Sequence, residues 1–314
     1  IGVTLYPQDG ADPDQLMRHA DQAMYLAKQA GKNCYHLFDV ARDVAVKTQR
    51  ESLEHIRRAL DKDEFVLHYQ PKVNMCTGAV IGMEALIRWQ HPDHGLLAPG
   101  SFLPIIEDHS LMIELGDWVI DHALDQLSQW NSQGLDLGLS VNVSAQQLQR
   151  RDFALHLAEL LALHPDVRPN QLTLEIVETS ALDDLSKIAQ LIRDCSDLGV
   201  EFAVDDFGTG YSSLTYLRHL PARQLKIDQS FVRDMLEDPD DLAIVRGVIG
   251  LAQAFHREVI AEGVESIAHG QLLIAQGCQL AQGYGIARPM PANNIPHWVA
   301  NWKPDRAWTE VSRL

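Results

Sequence analysis

Residues 65–88 read FVLHYQPKV, then NMCTG, then AVIGMEALIR. The two outer runs, Phe65–Val73 and Ala79–Arg88, are rich in apolar and β-branched residues, as strands are. Between them lies only Asn74-Met75-Cys76-Thr77-Gly78. A parallel crossover needs a dozen or more residues, so these first two strands are expected to run antiparallel. Downstream, strand-like runs recur at Leu137–Val143, Leu172–Val177, Glu201–Asp206, Gln224–Asp228, Glu258–Glu262 and Gln279–Tyr284. Amphipathic stretches lie among them at Gly116–Gln133, Ala145–Leu163, Leu182–Leu198, Pro239–Phe255 and Ser266–Gln276. Eight strands with helical crossovers over about 250 residues fit an α/β class, (β/α)8 TIM-like barrel with the first strand antiparallel. A doubly wound open sheet is the competing architecture.

Upstream of the barrel, Ile1–Tyr6 alternate like a strand and Pro7-Gln8-Asp9-Gly10 is turn chemistry. Asp12 before Pro13 is a helix start, and Gly31 offers a left-handed stop. Cys34–Phe38 reads as a second strand. Two short strands and one helix bury too little for independent stability, so residues 1–39 read as the tail of a domain that begins upstream. Leu53, Ile56 and Leu60 share one face of a helical pattern from Val40 to Asp63, expected to be a connector. The expected organisation is a short α+β remnant over 1–39, a connector helix over 40–63, the barrel over 64–303 and a tail over 304–314.

The 314 residues carry 26 Lys and Arg against 43 Asp and Glu, a net charge of −17. A chain that acidic lacks the basic face needed to replace phosphate counterions, which argues against DNA or RNA as partners. Small phosphorylated ligands stay open, because bound metal ions can invert local charge. No run of about 18 apolar residues occurs, so no membrane-spanning segment is expected in this sequence. Cys34, Cys76, Cys195 and Cys278 form no CxxC pair and are expected to be thiols in a reducing, cytoplasmic setting.

Ionic or amide groups interrupt the apolar strands at Glu84, Asn142, Glu175, Asp205, Asp206, Lys226, Asp228 and Glu262. Taken singly, a strand-end Asp or Asn is a turn former or a helix cap. In a barrel, successive strand ends meet at one mouth, where the active sites of this architecture lie. Five or more carboxylates there cannot all ionise unpaired, and one lysine does not balance them. Divalent cations do. Oxygen-only donors favour hard ions such as Mg²⁺ or Mn²⁺, and adjacent Asp205 and Asp206 could bridge two of them. Metal-assisted phosphodiester hydrolysis is the chemistry this pattern suggests; surface salt bridges are the plain alternative. Trp118 and Trp130 on an amphipathic run read as core, and His91, His94 and His109 as loop residues.

Glu84-Ala85-Leu86 with Arg88-Trp89 resembles the signature of the EAL family of cyclic di-GMP phosphodiesterases. Gln70-Pro71-Lys72, Asn142-Val143-Ser144, Glu175 with Glu178, Asp205-Asp206-Phe207-Gly208-Thr209-Gly210, Lys226-Ile227-Asp228, Ala261-Glu262-Gly263-Val264-Glu265 and Gln282-Gly283-Tyr284 follow in the family's order. Ala20-Asp21-Gln22-Ala23-Met24-Tyr25 with Gly31-Lys32-Asn33 resembles the C-terminal end of a GGDEF diguanylate cyclase domain. The GGDEF signature itself is missing, so no cyclase activity is expected here. The EAL resemblance implies hydrolysis of cyclic di-GMP to linear pGpG with two Mg²⁺ or Mn²⁺ ions. It implies Glu84, Asn142, Glu175 and Asp205 as ligands of one ion, and Asp205, Asp206 and, directly or through water, Glu262 as ligands of the second. Lys226 and Glu262 share the candidacy for moving the proton, Arg88 is expected on a phosphate oxygen, and Gln70 and Gln282 along the ligand or water sites. Glu178 is implied to steady the loop Phe207–Leu214, which the resemblance links to homodimerisation. Two rivals remain: a non-catalytic cyclic di-GMP receptor acting through protein contacts, and a barrel phosphodiesterase for another substrate. Gly285, where relatives commonly carry a bulkier residue, and Val177 and Ser266, where threonine is frequent, depart from the family pattern.

Overall fold

The computed structural model describes residues 1–178, 185–210 and 218–311. It divides into two compact units, Ile1–Lys62 and Asp63–Leu314.

In the first unit, strand β1 (Gly2–Val3) pairs in parallel with β2 (His36–Leu37). Both strands are shorter than the sequence pattern suggests. Helix Pro13–Gln29 starts as expected: the Asp12 carboxylate accepts from the Gln15 backbone N–H at 2.9 Å, and Pro13 opens the first turn. Asp9 is buried and satisfied, accepting from Thr4 Oγ1 at 2.7 Å with His19 Nδ1 2.6 Å away. The His19 ring stacks on Phe38. Helix Val40–Asp61 completes the unit.

The second unit contains strands β3 (Phe65–Asn74), β4 (Val80–His91), β5 (Gly95–Leu97), β6 (Leu139–Val143), β7 (Leu172–Val177), β8 (Glu201–Phe207), β9 (Gln224–Ile227), β10 (Glu258–Ala261), β11 (Leu280–Ala281) and β12 (Met290–Pro291). Eight of them close a ring in the order β3, β11, β10, β9, β8, β7, β6, β4 and back to β3. The neighbours are parallel from β4 through β6 to β11, whereas β3 is antiparallel to both β4 and β11. The architecture is a TIM-like barrel with its first strand reversed.

The reversal is built at Asn74–Gly78. The Asn74 side-chain oxygen accepts from the Cys76 and Thr77 backbone N–H groups, and its backbone bonds to Ala79 and Gly78 close the turn. Gly78 supplies the φ of +74° that the turn requires. Two short strands lie outside the ring and outside the sequence expectation: β5 folds back on β4, and β12 adds to β3.

Around the barrel, helix Leu111–Ser132 begins five residues before the expected start. The Ala145–Leu163 stretch is two helices, Ala145–Leu148, started by a Ser144–Gln147 capping box, and Phe153–Leu163. Helices Leu185–Asp197, Pro239–Ala254 and Ile267–Ala275 match their expected positions, with 182–184 outside the described residues. Leu172, Leu174 and Ile176 of β7, with Val204, Leu225, Ile227 and Ile260, are fully buried in the apolar core. Trp130 is buried in it, edge-on to Tyr69, whereas Trp118 is half-buried and stacks on His122.

Candidate active site

Alternate strand positions put one set of side chains inside the ring, and that set is polar. Gln70 on β3 lies directly opposite Glu84 on β4, and Asn142 on β6 opposite Glu175 on β7. Asp205 comes from β8, Lys226 from β9, and Glu262 and Gln282 directly follow β10 and β11. These positions lie toward the carboxyl ends of the parallel strands, the functional end of a barrel.

Asp205 and Asp206 are neighbours, and in a regular strand their side chains would point to opposite faces. The β8–β9 register shifts between Val204 and Phe207, where three steps on β8 span two on β9. This is a β-bulge, and Asp206 takes a φ of +52° within it. The bulge turns both carboxylates toward one group: Asp205, Asp206 and Glu262 offer oxygens within 4.8 Å of one another. A second group of the same tightness joins Glu84, Glu175 and Asp205. Asp205 belongs to both.

Lys226, fully buried, stands among four of these carboxylates. Its Nζ lies 2.5 Å from Glu175 Oε2, 2.6 Å from Glu262 Oε1, 3.0 Å from Asp205 Oδ1 and 3.4 Å from Glu84 Oε2. Burial alone would drive its pKa down, but Glu175, Glu262, Glu84 and Asp205 together hold it well above the usual lysine value. Glu175 shows the reciprocal effect. Burial pushes its carboxyl up, yet Lys226 and Lys72 overcome this and hold it at about 2. Burial and the neighbouring carboxylates outweigh Lys226 at Glu84, Asp205 and Glu262, which are all raised. Burial, Asp205 and Asp228 push Asp206 up to about 7. The site therefore gathers more carboxyl groups than its lysines can neutralise when ionised, and its carboxylate, amide and hydroxyl ligand atoms are all oxygen. That donor set fits one or two hard divalent cations.

The remaining expected residues are also at the site. Asn142 donates from Nδ2 to Glu84 Oε1 at 2.8 Å. Gln282 Nε2 donates to Glu84 Oε2 at 2.6 Å and to Gln70 Oε1 at 3.0 Å, while Gln70 donates to the Ala287 carbonyl. The glutamine pair thus braces Glu84 as well as lining the cleft. Arg88, half-buried, lines the same cleft of about 260 Å³ with Gln70, Glu84, Asp205, Glu262 and Gln282. Glu178 is fully buried, and its Oε2 accepts from the Gly208 N–H at 2.9 Å. A Cβ at Gly210 would lie 2.7 Å from Glu178 Oε1, so a larger residue there must push the buried Glu178 carboxylate aside. Residues 211–214 of the expected loop lie outside the described residues.

Lys72 joins the site beyond the residues expected there. It lies two positions after Gln70, hence on the same face, and its Nζ reaches the Ser140 hydroxyl and Glu175 Oε1. Tyr284 also lines the cleft, with the Arg288 guanidinium 4.3 Å over its ring. His91 and His109 instead accept backbone N–H groups in their own loops.

Comparison with known proteins follows the same division. Residues 53–289 match the EAL domain family, and residues 1–34 match the diguanylate cyclase, GGDEF domain family. The bifunctional diguanylate cyclase/cyclic di-GMP phosphodiesterase MucR of Pseudomonas aeruginosa is 41% identical over 301 residues, covering 96% of this chain and 44% of MucR. Cyclic di-GMP phosphodiesterase PdeR of Escherichia coli K12 is 37% identical over 303 residues, covering 96% of this chain and 45% of PdeR. The chain thus spans somewhat under half the length of these two relatives. The solved structure of the PaMucR phosphodiesterase in complex with c-di-GMP superposes with a TM-score of 0.75 at 41% identity. That match covers 78% of this chain and 99% of the other.

Proposed function

The chain belongs to the EAL domain family and carries a GGDEF-domain segment at its N-terminus, and we propose that it hydrolyses cyclic di-GMP to linear pGpG with two Mg²⁺ or Mn²⁺ ions. The observation that carries this reading is the pair of carboxylate groups sharing Asp205. Glu84, Asn142, Glu175 and Asp205 would hold one ion. Asp205, Asp206 and Glu262 would hold the other, Glu262 directly or through water. Bound there, such ions would supply Lewis-acid polarisation of a phosphate oxygen and would lower the pKa of bound water towards neutrality.

The side chains supply the rest. Water adds to phosphorus and the P–O3′ bond breaks, leaving a 5′-phosphate and a 3′-hydroxyl on a linear dinucleotide. Glu262 is the group available to take the water proton, and Lys226, kept charged by its four carboxylates, could take it only after giving its own proton to the departing O3′. While its ammonium stays charged, Lys226 also neutralises negative charge developing on the phosphate. Arg88 can bind a phosphate oxygen through its planar fork, and Gln282 with Gln70 keeps Glu84 in place. Glu178 holds Gly208 and so supports the start of the loop after β8, the segment proposed to couple the site to a homodimer. The setting proposed is cytoplasmic, and no described helix is long and apolar enough to cross a membrane.

The test is cyclic di-GMP hydrolysis with Mg²⁺ or Mn²⁺, with EDTA and Lys226→Ala controls and identification of the product. Linear pGpG that disappears in both controls supports the assignment. Tight binding without product from folded, metal-loaded protein would make the chain a receptor. Sedimentation with substrate and metal tests the dimer, and a monomer under those conditions counts against it.

A further inference from the structure

Lys72 is a second lysine buried in the barrel, 5% exposed, and no step of the hydrolysis uses it. Its Nζ approaches Glu175 Oε1 at 3.4 Å and bonds to the Ser140 hydroxyl, which itself hydrogen-bonds Glu175. Lys226 lies on the other oxygen, Oε2, at 2.5 Å. The two oxygens of Glu175 are therefore divided. Oε1 is engaged by Lys72, and Oε2 is on the side of Lys226, around which Glu84 and Asp205 also gather.

This division has a consequence for cation choice. Calcium takes six to eight oxygens in loose geometry and readily uses both oxygens of one carboxylate. Magnesium demands a compact octahedron that a one-oxygen carboxylate fits. An ammonium fixed on Oε1 works against two-oxygen coordination by Glu175. We propose that Lys72 is a positioning residue that keeps Glu175 a one-oxygen ligand and so biases the centre toward small octahedral cations over calcium. The inference rests on the metal-centre reading above.

The test measures binding rather than turnover. Mn²⁺ affinity is read by electron paramagnetic resonance on the full chain, and Ca²⁺ affinity by its competition with Mn²⁺, for the wild type, Lys72→Met and Ser140→Ala. Lys72→Met keeps the side-chain length without the charge, and is expected to shift the calcium-to-manganese affinity ratio about tenfold toward calcium, the size of effect usual for a partner of a metal ligand. Ser140→Ala, which removes the bridging hydroxyl, is expected to shift the ratio in the same direction by less, and it serves if Lys72→Met does not fold. A merely structural role would weaken both cations alike. An unchanged ratio in folded variants of a wild type that binds Mn²⁺ overturns the role of Lys72 alone. A wild type that binds no Mn²⁺ overturns the metal-centre reading, and this inference with it.

Discussion

Asp205 and Asp206 adjoin in sequence, yet a β-bulge with Asp206 at φ +52° directs both carboxylates to the same side, within 4.8 Å of Glu262. Two like charges held that close raise each other's pKa until a cation arrives, and this relationship underlies the first prediction.

In the cation-free chain the Asp206 carboxyl is pushed up to about 7 by burial, Asp205 and Asp228. Its folded-state pKa lies above the usual Asp value of 3.8, so the folded state favours the neutral acid. The stability this group contributes is complete below about pH 4 and is lost as pH rises through about 7. A bound cation needs the ionised form and reverses that trend. The gain in Tm on adding Mn²⁺ is therefore expected to be larger at pH 8 than at pH 6, by thermal unfolding at both. An equal gain at the two pH values would remove Asp206 from the centre.

Glu84→Ala is expected to lower kcat/KM for cyclic di-GMP by at least about 100-fold, since a ligand is lost outright. The fold should survive, because Glu84 packs among polar groups. Leaving Asn142 and Gln282 without their acceptor should cost roughly 1–3 kcal/mol, read by urea unfolding. Full activity in a folded variant would exclude Glu84 from the site.

Calcium is expected to support cyclic di-GMP binding but not turnover, since its loose coordination suits in-line displacement poorly. Calorimetry with Ca²⁺, set beside product formation in Ca²⁺ and Mn²⁺, checks this. Brisk turnover in calcium alone would contradict the proposed centre.

Gly210→Val places a side chain where a Cβ already stands 2.7 Å from Glu178 Oε1. It is expected to break the contact between Glu178 and Gly208 and to reduce turnover about tenfold or more. Glu178→Ala should mimic it by removing the acceptor. Circular dichroism should show an intact barrel in both, and unchanged kcat in both would argue that this contact has no part in the reaction.

The reversed first strand was legible because chain length is a hard constraint: five residues, Asn74–Gly78, cannot make a parallel crossover. The site residues were legible because carboxylates in apolar strands are costly enough to need a reason. Less regular features were not. The helix break at Gln149–Asp152 interrupts a continuous amphipathic pattern that gives no sign of it. The place of Lys72 was not legible, since only the closed ring brings β3 within reach of Glu175 on β7.

The sequence by itself determined the class of fold, the strand reversal, the family and the inventory of oxygen donors, because periodicity, loop length and residue chemistry are local properties. Only the tertiary structure decided which oxygens meet. The bulge that turns Asp206, the four carboxylates around Lys226 and the division of Glu175 between two lysines all arise from closing the barrel. Closure brings together residues as far apart as Gln70 and Gln282, 212 positions in sequence, and sets Lys72 and Lys226 each on one oxygen of Glu175. At such separations sequence spacing carries no geometric information.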